Sequence, residues 1–149
     1  MAVLSQDQKY LPDVKRAFAV MLEVTGEAFK TIDALGVTLA IMADLFGSTH
    51  GEEATTDFLN RVVKFTQRYP FIPAAYTEED RLKGVALAQA VETAWKAMQP
   101  PLPTRAVQMV TWLSASYAWQ ALYGEQCVKD WRAMMEDWSK RWDGGNKVH

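Results

Sequence analysis

Apolar positions recur along the first third of the chain in alternating steps of four and three: Val14, Phe18, Met21, Thr25, Ala28, Ile32, Leu35, Leu39, Met42 and Phe46. That alternation is a heptad seam, the period of helices packed at shallow angles. Pro12 suits a first helical turn, where its missing N–H costs nothing. Gly26 and Gly36 each weaken a helix by roughly 1 kcal/mol relative to Ala. Segment 12–46 therefore reads either as one long helix or as two helices broken near one of these glycines. Beyond Gly36 apolar residues occupy nearly every side, the pattern of a helix at the centre of a bundle.

Gly47-Ser48-Thr49-His50-Gly51 reads as a turn, with Thr49 and Glu52 at capping-box spacing. The next helix runs to about Tyr69, with Phe58, Val62, Phe65 and Tyr69 as its buried stripe and Leu59 and Val63 beside it. Pro70-Phe71-Ile72-Pro73 ends it, because a residue before proline is pushed out of helical geometry. Thr77 and Asp80 cap a helix that reaches about Met98 and is expected to bury Leu82, Val85, Ala86, Val91, Ala94, Trp95 and Met98. Pro100-Pro101-Leu102-Pro103 is a stiff extended connector. Thr104 is placed to cap the following helix, with Ala106, Met109, Val110, Leu113 and Tyr117 as its stripe and an end near Gly124. The last helix carries Val128, Trp131, Met135, Trp138 and Trp142 on a second heptad stripe, and Gly144-Gly145 stops it. Period-two alternation is absent. The expectation is an all-α fold: one domain over residues 1–149, an irregular bundle of about five or six helices, with frayed tails at 1–11 and 144–149.

Composition narrows the function classes. With 149 residues, 49% hydrophobic and 23% charged, the chain has the make-up of an ordinary globular domain. A net charge of −2 disfavours nucleic acid, whose binders carry a basic excess, and leaves little whole-molecule repulsion against self-association. The single cysteine rules out an intramolecular disulfide and suits a reducing, cytoplasmic setting. The N-terminal residues lack the basic and apolar regions of a signal peptide. The most apolar run, Leu35 to Phe46, contains Asp44 and is too short to span a bilayer, so no membrane role is expected.

Candidate chemistry is sparse. The two histidines, His50 and His149, lack any Glu-x-x-His or His-Glu-x-x-His context, and His50 beside Glu52 and Glu53 reads as a solvated turn residue. No metal ligand and no cofactor is expected. Cys127 sits near the start of the last helix, where a dipole lowers a thiol pKa, but no base lies near it in sequence. It reads as a packing residue. The Gly47–Gly51 turn precedes a helix yet lacks the Lys-Ser/Thr and the strand of a P-loop. Asp33 and Asp44 are three helical turns apart, about 16 Å, too far to share a proton directly. If Asp44 is buried it needs a partner or a proton. No catalytic residue is assigned.

Aromatic content is the unusual feature, with six tryptophans. The preferred reading is a non-catalytic protein-interaction or adaptor module, its partner another protein or itself, working through an aromatic and Met-rich face around Trp112, Trp119, Trp138 and Trp142. Two alternatives stand beside it. One is a small nucleic-acid-associated factor using the stripe Arg61, Lys64 and Arg68, which Asp57 interrupts. The other is a helical enzyme or carrier with an apolar cavity lined by Trp and Met.

Overall fold

In the computed structural model, which describes residues 8–26, 31–71 and 76–144, the chain forms an all-α bundle. A 3-10 turn at Gln8–Tyr10 leads into α1 (Leu11–Thr25); then come α2 (Thr31–His50), α3 (Glu52–Arg68), α4 (Glu78–Lys96), α5 (Thr104–Tyr123) and α6 (Glu125–Ser139). A π-helical turn, Lys140–Gly144, extends α6. The described residues contain six α-helices and no strand. Among them no helix is long and apolar enough to cross a membrane.

Backbone chemistry decides where the first seam breaks. Gly26 takes φ +69, a left-handed value that other residues adopt at a cost, and its N–H bonds the Leu22 carbonyl to close α1. The 12–46 segment is thus two helices, while Gly36 lies inside α2. Ala28 and the side chains of Ile32 and Asp33 lie outside the described residues, as do the tails 1–7 and 145–149. Residues 8–11, expected to be frayed, are instead the 3-10 turn and the start of α1.

Two of the three expected caps are absent. Residues 47–50 form the last turn of α2, not a loop, and the Thr49 hydroxyl donates to the Leu45 carbonyl inside that turn. The N-cap of α3 is Gly51, with φ +93. At α5 the N-cap is Pro103, so Thr104 is already helical. Only Thr77 caps as expected: its hydroxyl accepts from the Asp80 N–H, and Asp80 accepts from the Thr77 N–H, a complete capping box.

α2 is the central helix, apolar on both sides. Leu35, Leu39 and Met42 face one core with Phe58 and Phe65 of α3, Trp119 of α5, and Trp131, Met135 and Trp138 of α6. Val37 and Ile41 face a second core with Val14, Ala17 and Met21 of α1, Val91 and Trp95 of α4, and Val110 of α5. The α6 stripe of Val128, Trp131, Met135 and Trp138 faces inward and is buried, each large side chain contributing roughly 1.5–3 kcal/mol by leaving water. Two buried indoles find acceptors across helices: Trp95 Nε1 donates to the Ala17 carbonyl at 2.9 Å and Trp138 Nε1 to the Ala54 carbonyl at 3.0 Å, while Nε1 of Trp119 and of Trp131 meets no acceptor among the described residues.

Two helices turn a face inward that only partly matches the one expected. α4 buries Ala88 beside the expected Val91 and Trp95, so Leu82, Val85 and Ala86, about a quarter to half a turn away, are exposed. α5 buries mostly small residues, among them Ala106, Val110, Ala115 and Ala118, together with Trp119. Leu113 and Tyr117 point outward. Leu59 and Val63, flanking the α3 stripe, are also exposed.

Candidate functional site

Where α1 and α5 lie side by side they leave an apolar groove of about 720 Å3. Its floor is core: Val14, Met21, Val110 and Ala118 are buried. Its walls are Phe18 and Leu22, four residues apart and hence stacked on one face of α1, and Leu113 and Tyr117, spaced likewise on α5. These four side chains are between 44% and 76% exposed, which is far from the burial such residues normally reach. Among the described residues Lys15 is the one charged residue along the groove. The sequence carried a faint signal for it. Phe18 falls on the first seam and Leu22 just beside it, so the apolar stripe of α1 is wider than a single packing face requires.

The four tryptophans expected to form one face are divided between interior and surface. Trp119 and Trp138 are at most 2% exposed and belong to the first core, where Trp119 packs edge-on against Phe65 and Phe71. They are out of a partner's reach. Trp112 is half-buried against that core. Trp142, also half-buried, donates its indole N–H to Asp57 Oδ2 at 2.7 Å and is stacked by Arg141.

The basic stripe on α3 is engaged with α6. Arg61 binds Asp57 at 3.1 Å and Asp137 at 2.6 Å, and Arg68 pairs with Asp130 at 3.3 Å. Lys64 is exposed. Burial works against the Asp57 carboxylate, but the Trp142 indole and the Arg61 guanidinium outweigh it and hold its pKa below the ordinary value. Asp130 is lowered likewise, by the Tyr69 hydroxyl at 2.5 Å and the Gln126 amide.

The remaining candidates settle into structural roles. Burial pushes the Cys127 thiol up to about 11, with the Asp130 charge adding to the effect, the opposite of an activated nucleophile. His50, at the end of α2, lies edge-on to the Trp138 ring and its Nδ1 is 2.6 Å from the Thr49 hydroxyl. Among the described residues no three His, Cys, Asp or Glu side chains come together as a metal site. Asp33 and Asp44 do share the continuous helix α2. Asp44 is exposed, and its carboxyl meets that of Glu92 on α4, a partner that sequence reasoning did not identify. Burial, followed by the hydrogen bond and the charge of Asp44, pushes the Glu92 carboxyl up to about 7. Glu92 Oε1 is buried with no N–H or O–H facing it among the described residues. A proton on Glu92 removes the repulsion between the two carboxyls.

Comparison of the chain with protein-family models, with curated proteins and with solved structures finds no match.

Proposed function

We propose that the chain is a non-catalytic protein-interaction module that pairs with a second copy of itself through the face formed by α1 and α5. The observation that carries this reading is the apolar groove whose four large wall residues, Phe18, Leu22, Leu113 and Tyr117, stand half exposed. A contiguous apolar patch of that kind on a small protein marks an interaction surface. Ridge and groove lie next to one another on the same face, as a two-fold interface requires, since each copy must supply both halves of the contact. Helices of 15 and 20 residues are about 22 and 30 Å long, enough to present a face approaching the roughly 800 Å2 per partner of a stable interface. A net charge of −2 offers little repulsion between copies. The partner-binding role read from tryptophans thus moves to another patch, while Trp119 and Trp138 serve the first core. The reading places the module in the cytoplasm, in keeping with a lone cysteine that lies buried as a free thiol.

Sedimentation equilibrium over a range of concentrations tests it. The wild type is expected to be a reversible dimer, and Leu113→Glu, which puts a charge on an already exposed wall, a monomer with nearly unchanged melting temperature. A wild type that stays monomeric at every concentration refutes the reading, as does a Leu113→Glu variant that dimerises equally well.

A further inference from the structure

Along the groove, α1 carries a charge pattern that the fold of one chain does not explain. Lys15, Ala19 and Glu23 follow at four-residue spacing, so they form one ridge of the helix, and all three are exposed. Lys15 and Ala19 border the groove, and Glu23 continues the ridge beside Leu22. The two charges are about 12 Å apart along the axis, too far to pair within their own helix. Neither has an ion pair or a side-chain hydrogen bond among the described residues, whereas Asp13 and Arg16 of the same helix pair with each other at 2.6 Å. Both charges also stand against the helix dipole, which favours acids at the amino end and bases at the carboxyl end. Lys15 directly follows the first turn, and Glu23 lies in a last turn that holds no base. From Ala106 to Gly124 the chain has no charged residue, so the groove side of α5 adds none to balance them.

We propose that Lys15 and Glu23 orient the self-association: two copies of α1 cross antiparallel with the two-fold axis at Ala19, and Lys15 of each copy pairs with Glu23 of the other. This orientation rests on the pairing through the α1–α5 face proposed above. A ridge with opposite charges at its two ends complements a second copy only when that copy is reversed, since a parallel alignment sets Lys15 against Lys15. Residue 19 is the midpoint of 15 and 23, so a single axis forms both ion pairs at once. A methyl group at that axis lets the helices approach closely, with Phe18 and Leu22 beside it directed at the partner's groove.

Sedimentation equilibrium of charge-reversed variants at low salt tests the orientation. Lys15→Glu and Glu23→Lys each turn both ion pairs into like-charge contacts, and each should weaken the dimer about tenfold, since an exposed pair is worth a few-fold and is counted twice. Glu23→Lys should do so although it brings the net charge from −2 to zero. Both substitutions are at exposed positions and suit the helix dipole, so thermal melts should show no loss of fold. The double variant, and an equimolar mixture of the two single variants, should each return to within about threefold of the wild type. In about 0.5 M NaCl the differences should shrink. Single reversals that leave the dimer unchanged, or a double variant no tighter than either single one, overturn the orientation while the self-association stands. A wild type that is monomeric at every concentration removes both.

Discussion

Raising the pH should loosen the contact between α2 and α4, because Glu92 holds a proton in the native state that it surrenders when unfolded. In the unfolded chain its carboxyl titrates at the ordinary 4.5, whereas burial and Asp44 push it up to about 7 in the folded protein. Between those values the native state binds more protons, so stability falls as pH rises. Its contribution is whole below 4.5 and gone above about 7. Each pH unit over that interval is worth at most about 1.4 kcal/mol, and because Glu92 is only half-buried, solvent screening brings the total loss to about 1–2 kcal/mol. Glu92→Gln cannot ionise, and its amide donates to Asp44 at any pH. Urea denaturation of both proteins from pH 4.5 to 8 isolates the carboxyl pair, since titrations of groups distant from it cancel in the difference. The variant should gain on the wild type by about 1–2 kcal/mol across the interval, roughly 3–6 °C in melting temperature for a chain of this size. Parallel curves, with a difference independent of pH, would refute the proton-sharing argument.

Further outcomes follow from particular contacts. Thr77→Ala removes a complete capping box and should cost about 1 kcal/mol in chemical denaturation, whereas Thr49→Ala and Thr104→Ala, which cap nothing, should cost under about 0.5 kcal/mol. Trp119→Ala opens a void in the first core and should lose about 3–5 kcal/mol in the same assay, a large share of the stability of a small protein. Cys127, buried and with its thiol held protonated, should react with a thiol reagent at pH 8 at least about a hundredfold more slowly in the native protein than in denaturant.

Much of the architecture is written plainly in the order of residues, and the exceptions share a physical cause. Pro70 and the Pro100–Pro103 run separate the middle helix from its neighbours, and the run of apolar side chains after Gly36 marks α2 as central before any contact is known. Helix faces are harder. A search for large apolar side chains at helical spacing assigns Leu113 and Tyr117 to the interior of α5. The observed face keeps the expected Ala106 and Val110 but continues through Ala115 and Ala118, because small side chains let α5 come close to α2. The bulky pair was then left outside, and with it the groove. The same bias chose Leu82 and Val85 on α4 over Ala88. Caps fail for a local reason: a Thr or Ser near a helix start competes with whichever neighbouring residue takes the non-helical conformation, and Gly51 and Pro103 took it. The carboxyl pair of Asp44 and Glu92 joins residues far apart in the chain, which no local pattern announces.

The polar ties between α3 and α6 have a consequence of their own. Ala54 with Trp138, Arg61 with Asp137, and Tyr69 and Arg68 with Asp130 run antiparallel along both helices, and Asp57 with Trp142 extends the row past the end of α6. The aromatic layer between these helices is tolerant, since Phe58, Phe65, Trp131 and Trp138 would still meet apolar neighbours after a slide. The ties are not tolerant. A displacement of one helical turn, about 5.4 Å, breaks them together. They act as graduations on a ruler, permitting one alignment of two greasy surfaces and leaving the others without matched partners.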